Sequence, residues 1–481
     1  MNLKKVVCSL GVIIIIGGAL LINAMNAKDV KVRNIFKNKF DIEQAMASTQ
    51  SAYDNGIAKV FVYTVDNKYG VDLYTDTSKE KVDVAIIIKN EEKENNIEYK
   101  GYGTINVRGN TTSKAAKKPY NIKFEEKEDI FGMGKAKKWS LLASTFDKSL
   151  IRNKIGLDFM RKLEENHKNG MQYTSNCKYV DLYIDGKYLG NYLFTESVEV
   201  GESRVDIDLS QDVLLEIAND CKVQVDRYDE ESYYFKTKEL DLLFAINEPE
   251  RSEDSEYSFD PASKNKPEFV KNTKEFLDKF EKEIIKKNGN IEKYIDVESF
   301  VDYYLTAELF MIKDIKFSST RFYIKDGKLY AGPLWDLDLS SGNMSDNKSY
   351  KGFYAQKLLW FKHLMKNDAF KKRVKERYKE IKPLIKNIYK EDGDIDKAYE
   401  EIKESAKCNY EKAYNKFTSK EGWGYDVIYG VLGFYEAEEA KVLGAEDFVF
   451  GSNDAHDNYE DYVKEFKKWM KNRDKWLKEN L

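Results

Sequence analysis

Two aspartates stand one residue apart in "AGPLWDLDLSSGN", residues 331–343, inside an otherwise apolar run. In an extended chain alternate side chains share a face, which puts Asp336 and Asp338 roughly 7 Å apart on one side and Trp335, Leu337 and Leu339 on the other. Like charges at the rim of a core are costly unless a cation, water or hydrogen-bond donors satisfy them. Two readings follow: a bound cation, or an Asx-type turn that caps a strand end. An EF-hand-like calcium loop fits poorly, because its sixth position would be Ser341 instead of Gly and its twelfth Asn347 instead of Glu.

A third carboxylate belongs to the same neighbourhood. In "AELFMIKDIKFSSTRFYIKDGKLYAGPLWDLD" a helix is expected to end at Asp314, and two short strands, "TRFYIK" and "KLYAGPL", turn at Asp326-Gly327. A hairpin returns its exit near its entrance, so Asp314 can meet the pair at 336 and 338. Helix, loop carboxylate, hairpin and metal-binding carboxylate follow one another in kinase-like phosphoryl-transfer sites, where one carboxylate orients the attacking hydroxyl and another holds the magnesium bridging the phosphates. Taken alone, Asp314 also reads as a helix-terminating residue exposed to water.

Cationic groups that would face phosphates occur in "RGNTTSKAAKKPYNIKF". A Gly, Ser and Thr loop turns there into a strand in which Tyr120, Ile122 and Phe124 alternate with Asn121 and Lys123. Lys123 on that strand, with Arg108 and the loop amides, would bring positive character to a nucleotide. The plainer reading of Lys123 is a solvent-facing strand lysine. Trp335 and Trp139 read as core residues, with stacking on a base left open.

The elements that must position these groups fall into two halves. Residues up to about 200 read mostly as strands: "AKVFVYTVD", "KVDVAIIIKN", "KGYGTINVRGN", "KPYNIKFEE", then a hairpin in "CKYVDLYIDGKYLGNYLFTESVEV" turning at Asp185-Gly186. One helix interrupts them, "DKSLIRNKIGLDFMRKLEEN", with Asp147 as its expected N-cap. A charged stretch follows and reads as a hairpin running into a solvated loop, and from about residue 267 helices dominate. "DVESFVDYYLTAELFMIKD", with Asp296 as N-cap and Phe300, Tyr304 and Leu305 on one stripe, and the closing "YEDYVKEFKKWMKNRDKWLKENL" are the clearest of these.

Composition excludes several classes. The 481 residues are ample for a large core, and a net charge of −4 with 34% charged residues leaves no nucleic-acid footprint. The three histidines, His167, His363 and His456, have no metal or triad spacing. Cys8, Cys177, Cys221 and Cys408 suggest neither a disulfide framework nor a zinc site. The start, "MNLKKVVCSLGVIIIIGGALLINAMNAKDV", reads as a signal peptide or signal anchor over residues 1–27, which directs the rest of the chain to export, secreted or membrane-anchored.

"RGNTTSKAAKKPYNIKF", "KKWSLLASTFDKSLIRNKIG", "DGKYLGNYLFTE", "KDGKLYAGPLWDLDLSSGN" and "FKKWMKNRDKWLKENL" occur in the order and approximate spacing of one family. From about residue 57 to its end the chain resembles the CotH kinase family, named for spore coat protein H. The resemblance implies an α+β, atypical protein-kinase-like fold, with a β-rich N-terminal nucleotide-binding lobe over 28–200 and a mostly helical catalytic lobe over 201–481. The implied activity is transfer of the γ-phosphate of ATP, with Mg²⁺ or Mn²⁺, to serine or another hydroxyl of spore-coat or exported surface proteins.

Carried over by position, Asp314 resembles the loop aspartate near the transferred phosphate and Asp336 the metal-binding aspartate, with Asp338 an additional candidate ligand. Lys123 resembles the strand lysine of the nucleotide-binding lobe, Arg108 lies beside the loop, and Glu196 in "YLFTE" matches a family glutamate that either pairs with Lys123 or supports the hinge. Many relatives carry an Asn-x-Asp motif and a later Asn around the loop aspartate. Here Lys313 precedes Asp314, and Ser318 or Ser319 follows, so a second metal ligand is either missing or supplied by a hydroxyl. Two other readings compete: an exported coat or surface scaffold that keeps the fold without the reaction, and a metal-dependent hydrolase of phosphoesters or glycans.

Overall fold

The computed structural model of the chain describes residues 53–64, 73, 80–90, 96–109, 112–115, 117–218, 232–251, 266–313, 315, 319–343, 348–413 and 458–481. The expected export segment at 1–27 and Asp314 lie outside them. Among the described residues no helix is long and apolar enough to cross a membrane.

Seven strands close into a barrel: β1 (Ala58–Thr64), β2 (Val82–Lys89), β3 (Ile97–Val107), β4 (Tyr120–Asp129), β5 (Lys135–Leu142), β6 (Cys177–Ile184) and β7 (Lys187–Glu196), in the order β1-β2-β3-β4-β5-β7-β6. Neighbours run antiparallel except at the closure, where β1 pairs with β6 in parallel. Period-two alternation fills the interior with Val60, Val84, Ile105, Ile122, Trp139, Leu182 and Phe194. Asp185 and Gly186 both take positive φ, 48° and 78°, as the two-residue turn between β6 and β7 demands.

A second, five-stranded antiparallel sheet contains β8 (Val213–Ile217), β9 (Tyr233–Lys236), β10 (Leu243–Glu248), β11 (Arg321–Lys325) and β12 (Lys328–Ala331), in the order β12-β11-β8-β10-β9. Its residues Leu215, Phe244, Ile246 and Phe322 share one core with the helices. The helices are α1 (Arg152–Asn166), α2 (Glu268–Ile285), α3 (Val297–Phe310), α4 (Phe361–Leu364), α5 (Asp368–Glu380), α6 (Lys382–Tyr389), α7 (Asp394–Cys408) and α8 (Tyr459–Asn480). Trp360 stacks on Phe244 at 5.3 Å and donates its indole N–H to Glu281 at 2.9 Å. Arg473 of α8 meets Glu308 of α3 at 3.0 Å with both side chains fully buried, which ties the end of the chain beneath α3.

This architecture corrects the expected fold. The molecule is a closed barrel with a second sheet and helices, not a β-rich lobe followed by a mostly helical lobe of protein-kinase type. The physical reason is pairing at long sequence range. Arg321 lies opposite Glu216 and Ala58 opposite Val180, contacts that no local pattern discloses. Two local expectations also change. Helix α1 is preceded by Ile151 with no side-chain cap, while Asp147 accepts Arg152 N–H at 2.8 Å from five residues upstream and pairs with the Arg152 guanidinium. Helix α3 has no solvent face from Ser299 to Phe310, so the expected single stripe is replaced by burial all round, and Asp296 does cap it by accepting Ser299 N–H at 2.7 Å.

The loop before β4 is held by its own lysines. Lys118 Nζ donates to Ser113 O at 2.7 Å, and fully buried Lys117 donates to Asn191 O while lying 4.9 Å from the Tyr192 ring centroid. Burial lowers the Lys117 ammonium to about 7 against the pull of Asp181 and Asp147. Between about 7 and the unfolded value of about 10.4 the unfolded chain binds the extra proton, so this residue makes stability rise with pH over that window. Lys117→Met is expected to flatten the rise in urea midpoint between pH 7.5 and 10. An unchanged slope would contradict this placement of Lys117.

Candidate functional site

The outer face of β3, β4 and β5 is polar because inward and outward residues alternate. Thr104, Lys123 and Lys138 form one cross-strand row, and Asn106, Asn121 and Ser140 the next. Ser140 Oγ donates to Asn121 Oδ1 at 3.2 Å and lies 3.1 Å from Ser197 Oγ. Lys123 is exposed on this face, as the alternation in its strand requires. Arg108, just past β3, continues the outward parity, with its N–H on Pro119 O at 3.0 Å.

Beyond the second sheet the chain leaves β12 at Ala331, passes Gly332 and Pro333, and reaches Trp335, Asp336 and Asp338. The Arg108 guanidinium lies 5.4 Å from the Trp335 ring centroid. Burial chiefly pushes Arg108 below its usual range; Asp336 and Asp338 act to raise it, and Arg321 acts to lower it further. The barrel thus brings one cation to the ring beside the two carboxylates, while Trp335, Leu337 and Leu339 are buried. The extended-strand geometry expected for the pair is not what brings this about: Asp336 has φ 67°, a left-handed residue in an irregular segment.

That segment is braced from several elements. Leu337 N–H donates to Asn153 Oδ1 of α1 at 2.7 Å, and Leu337 packs where a Cβ on Gly156 would come within 2.2 Å of it. Asn343 Nδ2 donates to Asp338 O at 2.7 Å, and Ser341 N–H to Phe310 O at 2.7 Å. Lys313 N–H donates to Leu339 O at 3.1 Å, so the residue before Asp314 is stitched to the aspartate segment. Ser319 Oγ donates to Asp336 Oδ2 at 3.2 Å, which sets a hydroxyl beside the carboxylate.

Glu196 has a different setting. It pairs in register with Trp139 at the end of the barrel, accepts Arg204 Nη1 at 2.6 Å and Asn176 N–H at 2.6 Å, and Arg204 covers the Trp139 ring at 4.7 Å. Its ion partner is therefore Arg204 and not Lys123. Burial raises the Glu196 carboxyl, and Arg204 offsets part of that rise. Glu196 also lines a polar cleft of about 290 Å³ with Thr174, Glu199, Arg204 and Pro333; Asp336, Asp338, Arg108 and Lys123 do not line it.

Lys138 spans from the strip to the residues just past β10, meeting Glu250 at 2.8 Å. Burial raises the neighbouring Glu248 to about 7, helped by Glu250. Sequence reasoning missed Arg204, Arg321 and Asn153, whose roles depend on partners far along the chain; the spacing of Asn153 and Gly156 on one face of α1 was the available signal for a close approach there.

Asp336, Asp338 and the Ser319 hydroxyl are hard oxygen donors of the kind Mg²⁺ and Mn²⁺ accept. Among the described residues no group of three or more His, Cys, Asp or Glu side chains is placed to hold a metal. Two carboxylates fit an ion that takes its remaining ligands from phosphate and water.

Asn153→Ala leaves the Leu337 N–H without its acceptor and is expected to cost about 1–3 kcal/mol in urea unfolding. Asn153→Asp, which keeps an acceptor, should recover most of it, and an alanine variant as stable as the parent would contradict the bracing.

The sequence model described as CotH kinase protein matches residues 105–477. No curated protein matches the chain.

Proposed function

The chain belongs to the CotH kinase protein family, and from that premise we propose that it transfers the γ-phosphate of ATP to a hydroxyl of a coat or exported surface protein. The observation that supports this reading best is the Arg108 guanidinium of the barrel lying over the ring of Trp335, the residue before Asp336, where both Asp336 and Asp338 act on its charge. In this reading Asp336 and Asp338 hold Mg²⁺ or Mn²⁺, with the Ser319 hydroxyl beside them. The ion supplies charge neutralisation for the phosphates.

Arg108 and Lys123 bind phosphate oxygens from the outer face of the barrel. Asp314 orients the acceptor hydroxyl and takes its proton as the new O–P bond forms, and the Pγ–O bond breaks with its electron pair leaving on ADP. Glu196 acts at one remove: its pair with Arg204 holds the end of β5 against β7 and so the position of the outer strip. Buried Trp335 gives Arg108 a fixed surface to lie on.

The test is transfer of labelled γ-phosphate with Mg²⁺ and then Mn²⁺, to the protein itself and to a serine-rich coat or surface extract. Asp336→Ala and Asp314→Ala, each checked for folding, are expected to reduce transfer by on the order of 10²-fold or more. Measurable ATP binding with no transfer in the parent protein would instead favour the scaffold that keeps the fold without the reaction.

A further inference from the structure

Arg321 opens β11 beside the site. Its carbonyl accepts Gly332 N–H at 2.9 Å, at the point where the chain departs for Trp335 and Asp336, and Ser319, two residues earlier, holds Asp336. Its Nη2 lies 3.6 Å from Glu216 Oε2 across the β8–β11 register, a loose ion pair with the Arg321 side chain 18% exposed. Its Nη1 is buried and makes no hydrogen bond among the described residues. A buried guanidinium edge without an acceptor is costly, and Arg108 reaches the same segment over the Trp335 ring at 5.4 Å, where its like charge opposes that of Arg321.

Both penalties are relieved by one kind of ligand, a multivalent oxyanion between the two guanidiniums. Planar N–H forks match phosphate geometry, and among the described residues neither fork is closed by a bidentate carboxylate. We propose that Arg321 is an anion-binding residue of this site, forming with Arg108 a two-guanidinium fork for a phosphate group of a nucleoside di- or triphosphate. The fork supplies fixed positive charge of its own, so part of the phosphate affinity needs no divalent cation. The identity of the anion rests on the phosphotransfer reading, whereas anion binding itself does not.

The probe is inorganic pyrophosphate, titrated calorimetrically into the full chain in EDTA, for the parent, Arg321→Gln, Arg321→Lys and Glu216→Gln. The parent is expected to bind pyrophosphate without metal, Arg321→Gln to weaken it at least tenfold, Arg321→Lys to lie between, and Glu216→Gln to keep or strengthen it. No metal-free binding by the parent overturns the proposal. So does an Arg321→Gln protein that loses thermal stability but not affinity, since Arg321 would then be only the partner of Glu216. Arginine-dependent pyrophosphate binding without γ-phosphate transfer would sustain this inference while refuting the phosphotransfer reading, and transfer with unaltered affinity in Arg321→Gln would do the reverse.

Discussion

Two carboxylates one residue apart, one of them buried, need positive charge close by, and Arg108 provides it by lying over the neighbouring Trp335 ring, where it acts electrostatically on both. The rest of the site depends on that placement. It requires the barrel to present its outer β3–β4–β5 face in one place and the segment after β12 to be held in another. The first demand is met by closure through the β1–β6 pair and by a loop anchored on buried Lys117 and Lys118. The second is met by Asn153 and Gly156 on α1, by Ser341 on the end of α3, and by α8 through the Arg473–Glu308 pair.

The surroundings of the site divide the charged residues into two kinds. Glu196 with Arg204, Asp147 with Arg152 and Glu308 with Arg473 are ion pairs with short contacts and buried side chains, and they fix the frame. Arg108, Arg321 and Asp336 are held loosely: a ring contact, a 3.6 Å ion pair and a single hydroxyl donor. Loosely satisfied charge beside a braced segment suits a site whose partners arrive with the ligand.

Local chemistry was readable along the chain. Asp296 is a cap, Asp185-Gly186 is a hairpin turn with both φ values positive, and the alternation of Tyr120, Ile122 and Phe124 with Asn121 and Lys123 describes β4 as it stands. Burial of Trp335, Leu337 and Leu339 followed from their type. What could not be read was pairing across long separations. Glu196 and Arg204 meet only because β7 ends where the following loop turns back over Trp139, and Arg321 and Glu216 meet only because β11 and β8 are sheet neighbours. The same limit hid the barrel and the second sheet, whose strands look alike one at a time, and led to a two-lobed expectation. Asp336 was placed on an extended strand because nothing in its neighbours signals a left-handed backbone there.

The central claim is that Arg108 and Asp336 serve one ligand. A double-mutant cycle in the affinity for Mg²⁺–ATP, using Arg108→Gln, Asp336→Asn and the pair, tests it most directly. The account predicts a coupling above about 1 kcal/mol, because each residue's contribution depends on the other holding the same phosphate–metal unit. Losses that add within about 0.5 kcal/mol, or an affinity that neither substitution changes, would contradict it.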